Sequence, residues 1–288
     1  MSSTRSRVLV SLCALLVAAG CRSKEPDSPP VATPSVSFAH TRVPLGSPVE
    51  VTYKFQVAPN APPFQENYRV MVHFLDADEE LMWADDHDPP VPSTQWKPGQ
   101  TIEYTRMMFI PIYPYVGKAS VHVGLYSSKT QKRLTLTGET TGQHEYTLAS
   151  LQLLPHSENV FLLFKDGWHP QETAQGNSAV EWQWTKKTAT ISFKNPKKDS
   201  TLYLQYDARV DLFTPPQQVA LKIGDQTVGQ FAAESKGPAL QTFPLTAAQL
   251  GTADLVDLVV DVDKTFKPGG TDPRDLGIRI YHVYVEPK

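Results

Sequence analysis

Cysteine is nearly absent. The 288-residue chain has two, Cys13 and Cys21, and Cys13 lies inside an apolar leader. The chain beyond the leader therefore has no intramolecular disulfide, no thiolate zinc site and no cysteine nucleophile. Basic residues are not clustered either: 27 Lys and Arg against 30 Asp and Glu give a net charge of −3, so the chain has no electrostatic footprint for nucleic acid. Nowhere does an apolar run reach the roughly 20 residues that span a bilayer. A sustained helical period is missing, and so are G-x-S-x-G, H-E-x-x-H, the P-loop and G-x-G-x-x-G. These absences lower the case for an enzyme without removing it, because a glycoside hydrolase can show only two carboxylates far apart in sequence.

What is present begins with residues 8–21, VLVSLCALLVAAGC, preceded by Arg5 and Arg7. A charged start, an apolar run of about a dozen residues and a small-residue end have the layout of a secretory signal. Val17-Ala18-Ala19-Gly20-Cys21 resembles the lipobox of bacterial lipoproteins. That resemblance implies removal of residues 1–20 and acylation of Cys21, which would anchor the chain to a membrane. Arg22 is not the aspartate that holds some lipoproteins at the inner membrane, so outer-membrane sorting is favoured in a host with two membranes. Residues 21–37, with four prolines and few large apolar side chains, are expected to be an extended tether.

Beyond the tether the period becomes two. In residues 49–57 Val49, Val51, Tyr53, Phe55 and Val57 alternate with Glu50, Thr52, Lys54 and Gln56, as in a strand with one wet face. Short strand signals separated by Pro and Gly turns continue to residue 154, stop over residues 155–159 and restart. The expected fold is all-β: an immunoglobulin- or fibronectin-like sandwich over residues 38–155, then a jelly-roll-like sandwich over residues 159–288. The only helical hint is residues 246–250.

Three groups of side chains are candidates for chemistry. Asp76, Asp78, Asp85, Asp86 and Asp88 make an oxygen-rich region that either binds calcium or forms charged turns. Its opening resembles an EF-hand loop, but Leu81 stands where that loop needs glycine. His73 and His122 fall within strands and read as packed histidines. The second group is aromatic. Trp182 and Trp184 are two apart in a strand, so both rings face one way, either into the core or toward a sugar. Trp168 sits in a turn-like DGWHP segment and is expected to be partly exposed, with Glu172 close behind. The third group is Asp272, Arg274 and Asp275, in which Arg274 either clamps its loop through the flanking carboxylates or lines a polar pocket.

GWHPQE (residues 167–172), EWQWT (181–185), TFKP (265–268) and DPRDLG (272–277) occur in that order. The series resembles a β-sandwich module at the exported ends of bacterial membrane glycosyltransferases and in surface lipoproteins. VHFLD (72–76), DDHDPPVPSTQWKPGQ (85–100) and VGLYS (123–127) are similar to an immunoglobulin-type module found in the same settings. The resemblance implies an accessory, non-catalytic role near envelope glycans. On this basis the expected ligand is carbohydrate at the C-terminal sandwich, around Trp168. The alternatives are a structural or protein-interaction lipoprotein docking through sandwich edges, and a hydrolase using Glu172 and Asp275. No cofactor is expected unless calcium binds.

Overall fold

A computed structural model describes residues 28–288. The leader, Cys21 and the first part of the tether lie outside the described residues. The N-terminal half contributes β1 (Ala32–Phe38), β2 (Arg42–Pro44), β3 (Pro48–Val57), β4 (Arg69–Leu75), β5 (Leu81–Ala84), β6 (Thr101–Phe109), β7 (Gly117–Tyr126), β8 (Thr140–Gly142) and β9 (Glu145–Leu154). One sheet runs β1-β3-β6. The other runs β2-β9-β7-β4-β5, with β8 paired to β9. Alternation in β3 does what its sequence dictates, sending Val51, Tyr53, Phe55 and Val57 inward. They meet Val70, Val72, Phe74, Val121, Val123 and Leu125 of the facing sheet in a single apolar cluster. Only β2 pairs in parallel, against β9. The layout is that of an immunoglobulin-type sandwich, as expected.

The tether expectation needs correction. Its last residues form β1, paired residue for residue with β3 from Ala32↔Val57 to Phe38↔Val51. Prolines suggested an unpaired spacer, but β1 is an edge strand, where a missing N–H costs no ladder bond. Pro34 is buried opposite Phe55. Residues 133–137, between β7 and β8, form no strand: Arg133 makes one isolated bridge to Tyr126, and Leu136 is buried with its N–H donating to the Tyr146 hydroxyl at 2.8 Å.

The C-terminal half contributes β10 (Leu162–Phe164), β11 (Glu172–Ala174), β12 (Asn177–Trp184), β13 (Thr188–Lys194), β14 (Ser200–Asp207), β15 (Gln218–Ile223), β16 (Gln226–Ala232), β17 (Ala239–Leu245), β18 (Leu255–Val262) and β19 (Arg279–Pro287). Two five-stranded antiparallel sheets run β10-β13-β18-β15-β16 and β11-β12-β19-β14-β17. From β12 onward the chain passes back and forth between them except at the β15-β16 hairpin, enclosing Ile191, Leu202, Leu204, Leu221, Leu258 and Val285. The expected single helical turn is α1 (Ala247–Leu250), started by a capping box of Thr246 and Gln249.

The two halves touch. Phe109 at the end of β6 stacks on His282 of β19, with ring centroids 4.6 Å apart and planes 13° apart. Asn159 donates to the Leu45 carbonyl at 2.7 Å. Surrounding bulk desolvates the His282 imidazolium and lowers its pKa, although part of the side chain still meets solvent.

Candidate functional site

Four stretches singled out in the sequence, spread over more than 100 residues, converge on one face of the β11-β12-β19-β14-β17 sheet and on the end of the sandwich beside it. Glu172 of β11 lies opposite Trp182 of β12, and Trp168 bridges to Thr185. Phe266 bridges to Leu276, which folds the TFKP and DPRDLG segments into one loop. Phe266 then packs edge-on against Trp184 at 5.6 Å. The buried His169 ring joins through Nε2–H to the Asp275 carbonyl at 2.9 Å. Two glycines make this closeness possible. Gly167, at φ +86, would place a Cβ 2.0 Å from the Thr188 carbonyl oxygen, and Gly277 one 2.3 Å from Thr185 Oγ1.

The site is a row across four strands. At its outer end Arg274 donates from Nη1 to Glu172 Oε1, and from Nε and Nη2 to Asp272 at 2.8–3.1 Å. Glu172 Oε2 also accepts from the Trp182 indole N–H at 3.3 Å. Next in the row Arg279 of β19, opposite Trp184, sits over three rings: Trp182 at 5.1 Å, Trp184 at 5.3 Å and Tyr281 at 5.8 Å. Its guanidinium pairs with both oxygens of Asp207 on β14, a residue 1% exposed. The Tyr281 hydroxyl donates to the same carboxylate at 2.8 Å.

These contacts set the electrostatics. Hydrogen bonds from Arg274 hold the Asp272 carboxyl down at about 2, and Arg274 itself is raised by Asp272 and Glu172. Burial, then the bond to Asp207, pushes Tyr281 up to about 12. Aromatic surface and committed charge therefore alternate along the face. Trp184 is 7% exposed and closed off by the loop, whereas Trp182 and Tyr281 are half-buried. Neither tryptophan belongs to the core between the sheets.

Several expectations shift. Trp168 is partly exposed, as expected, but its indole N–H is spent on the Thr190 carbonyl at 2.9 Å, and the ring packs edge-on against Phe164 and onto the core. Arg274 is a clamp, but its second carboxylate is Glu172 and not Asp275, whose backbone carbonyl binds His169. Asp207, Arg279 and Tyr281 were missed. Arg279 and Tyr281 have the same two-residue spacing as Trp182 and Trp184, a signal legible only once β12 and β19 are known to pair.

The calcium candidates are not brought together. Asp76 accepts from the N–H groups of Asp78 and Glu80 in its own turn, at 2.9 and 3.0 Å. Asp85 binds Arg106, Asp86 accepts from the Val72 N–H, and Asp88 pairs with Arg69. Among the described residues no group of three or more His, Cys, Asp or Glu is placed to hold a metal ion. His73 and His122 face each other across β4 and β7, both within 4 Å of Glu145.

Two depressions lie away from the row. One of about 340 Å³ is lined by Gln218, Ala220, Gln230, Asp261 and Asp263, and one of about 180 Å³ sits at the seam beside Tyr203, Glu50 and Glu286. The first, which Val219 also lines, has no ring to stack on. The second is narrowed by the Tyr203 hydroxyl bonded to Glu286 at 2.7 Å. The row itself is an open sheet face.

No family model and no curated protein matches the sequence. Solved structures match only distantly. The M60 catalytic domain with its CBM51-1 and CBM51-2 domains from Clostridium perfringens is 9% identical at a TM-score of 0.26, over 92% of this chain and 32% of that one. Salmonella alpha-2-macroglobulin reacted with methylamine is 10% identical at 0.25, over 88% and 15%. The collagen adhesin of S. aureus is 7% identical at 0.20, over 90% and 94%. The chain thus spans less than a third of the first two, and likenesses at this level carry nothing beyond the all-β architecture that the sheets themselves display.

Proposed function

We propose that the protein is a lipid-anchored accessory protein of a bacterial cell envelope whose C-terminal sandwich binds carbohydrate without catalysis. Anchoring rests on the lipobox-like end of the leader at Cys21. Among the described residues no helix is long and apolar enough to cross a membrane. The observation that carries the binding reading is the row itself: half-buried Trp182 and Tyr281 rings beside Glu172, Arg274 and Arg279, all locked by mutual bonds. Sugars are recognised by such sets, because ring C–H surface stacks on aromatic faces while fixed polar groups orient the hydroxyls.

Thermal unfolding of the full-length protein against a panel of envelope oligosaccharides tests this. A ligand at 100 times its Kd adds about 2.7 kcal/mol. We expect a glycan-specific rise in Tm that Trp182→Ala removes. A panel that leaves Tm unmoved removes the reading.

One observation favours a second reading, a protein partner. Strand β10 is the edge of its sheet, and Phe161 beside it and Leu163 within it are 64% and 49% exposed. An added strand would cover them. In that case Trp182→Ala leaves partner recovery unchanged and Leu163→Pro abolishes it. The hydrolase reading has no matching support, since both oxygens of Glu172 already accept from Arg274 and Trp182.

A further inference from the structure

We infer that the Trp182 face, on the carbohydrate reading above, selects neutral sugars and rejects those bearing carboxylate, sulfate or phosphate. A site for an anionic sugar needs a cation whose charge is not already balanced by a carboxylate, and both guanidinium groups of this row are so balanced. Three carboxylates, Glu172, Asp272 and Asp207, stand against two guanidinium groups, Arg274 and Arg279, so the row carries one net negative charge. Arg274 already serves two carboxylates. Among the described residues Arg279 is the one cation paired with Asp207, which is 1% exposed, so drawing Arg279 toward an incoming anion would strand a buried charge. Two further cations beside this loop are engaged as well: Arg209, over the Phe266 ring, with Asp211 at 2.7 Å, and Lys264 with Asp263 at 3.7 Å.

What remains free suits a hydroxyl. A guanidinium has five N–H donors. Arg274 uses Nε, one hydrogen of Nη1 and one of Nη2, which leaves two. Each oxygen of Glu172 has one protein donor and keeps acceptor capacity. A sugar hydroxyl both donates and accepts, so adjacent hydroxyls can bridge Glu172 and Arg274 without disturbing their pair, while C–H surface covers Trp182. The held-down Asp272 carboxyl keeps its own charge through the whole neutral and mildly acid range.

The test is a glycan array probed with the full-length protein, followed by calorimetry on matched tetrasaccharides: galactose, mannose and N-acetylglucosamine tetramers against tetragalacturonate and a sulfated galactose tetramer. We expect at least tenfold tighter binding of a neutral member over every acidic one, with Kd changing less than twofold between 50 and 500 mM NaCl. Equal or tighter binding of an acidic glycan, weakened by salt, overturns the neutral selection and leaves the carbohydrate reading intact. An array on which no glycan binds overturns that reading, and this inference with it.

Discussion

Each half of the molecule has a carboxylate-rich region, and the two use it differently. In the N-terminal sandwich Asp76 and Asp86 accept from backbone N–H groups, so their charges finish a turn and a strand edge. In the C-terminal sandwich Glu172, Asp272 and Asp207 bind guanidinium groups that in turn lie beside or over aromatic rings. The density of acidic residues in sequence therefore misleads. Asp76 ends up serving its own turn, whereas Glu172 and Asp207, 102 and 72 residues from their arginines, build the polar face together with Asp272.

Four perturbations would break or sharpen this contrast. Asp207→Ala should have the largest effect, about 3 to 5 kcal/mol, because it leaves Arg279 without its partner under the rings. Urea unfolding followed by tryptophan fluorescence measures it. Asp86→Ala removes one bond to a backbone N–H and should cost about 1 to 2 kcal/mol by the same assay. Equal losses in the two variants would erase the distinction.

His87 and Asp272 should also part in acid. Burial lowers the His87 pKa from 6.5, with Nδ1–H donating to the Asp85 carbonyl and Nε2 accepting from Tyr104 O–H. The unfolded chain then binds this proton first, so stability is intact above about pH 6.5 and falls as pH drops below it. For Asp272 the folded pKa is depressed to about 2, so its contribution is complete above about pH 4 and fades only as pH approaches 2. His282 pulls in the same direction as His87. Urea midpoints between pH 7 and 5 should therefore fall in the wild type and flatten partly in His87→Gln and in His282→Gln. An unchanged slope in His87→Gln would assign the effect elsewhere. The smallest expected effect is that of calcium or chelator on Tm: below 1 °C, since Asp76, Asp85, Asp86 and Asp88 are engaged within the protein. A rise of several degrees with calcium would restore the discarded site.

Much of the fold was legible because one wet face per strand writes period two into the sequence, as in residues 49–57. Strand β1 was hidden by its own edge position, where Pro34 is tolerated and small side chains suffice. The site was half legible. Trp182 and Trp184 stood out by their two-residue spacing, and Asp272 and Arg274 by their adjacent opposite charges. Trp168 stood out by its turn-like DGWHP segment, but the bond that ties its indole to the Thr190 carbonyl depends on a turn that the Gly167 conformation sets. Asp207 and Arg279 carried no local mark, since an ion pair between strands 72 positions apart exists only after the sheet order is known.

That sheet order also bears on when the protein can fold. The last two strands in the chain, β18 and β19, are the central strands of the two C-terminal sheets. Until residue 255 is out, β13 has no neighbour linking it to β15; until residue 279 is out, β12 has none linking it to β14. A chain delivered N-terminus first thus has its first sandwich complete by residue 154, while the second waits as unjoined ribbons with exposed edges. Closure must then be late and concerted, through contacts of long sequence separation, the regime in which folding is slow and aggregation competes.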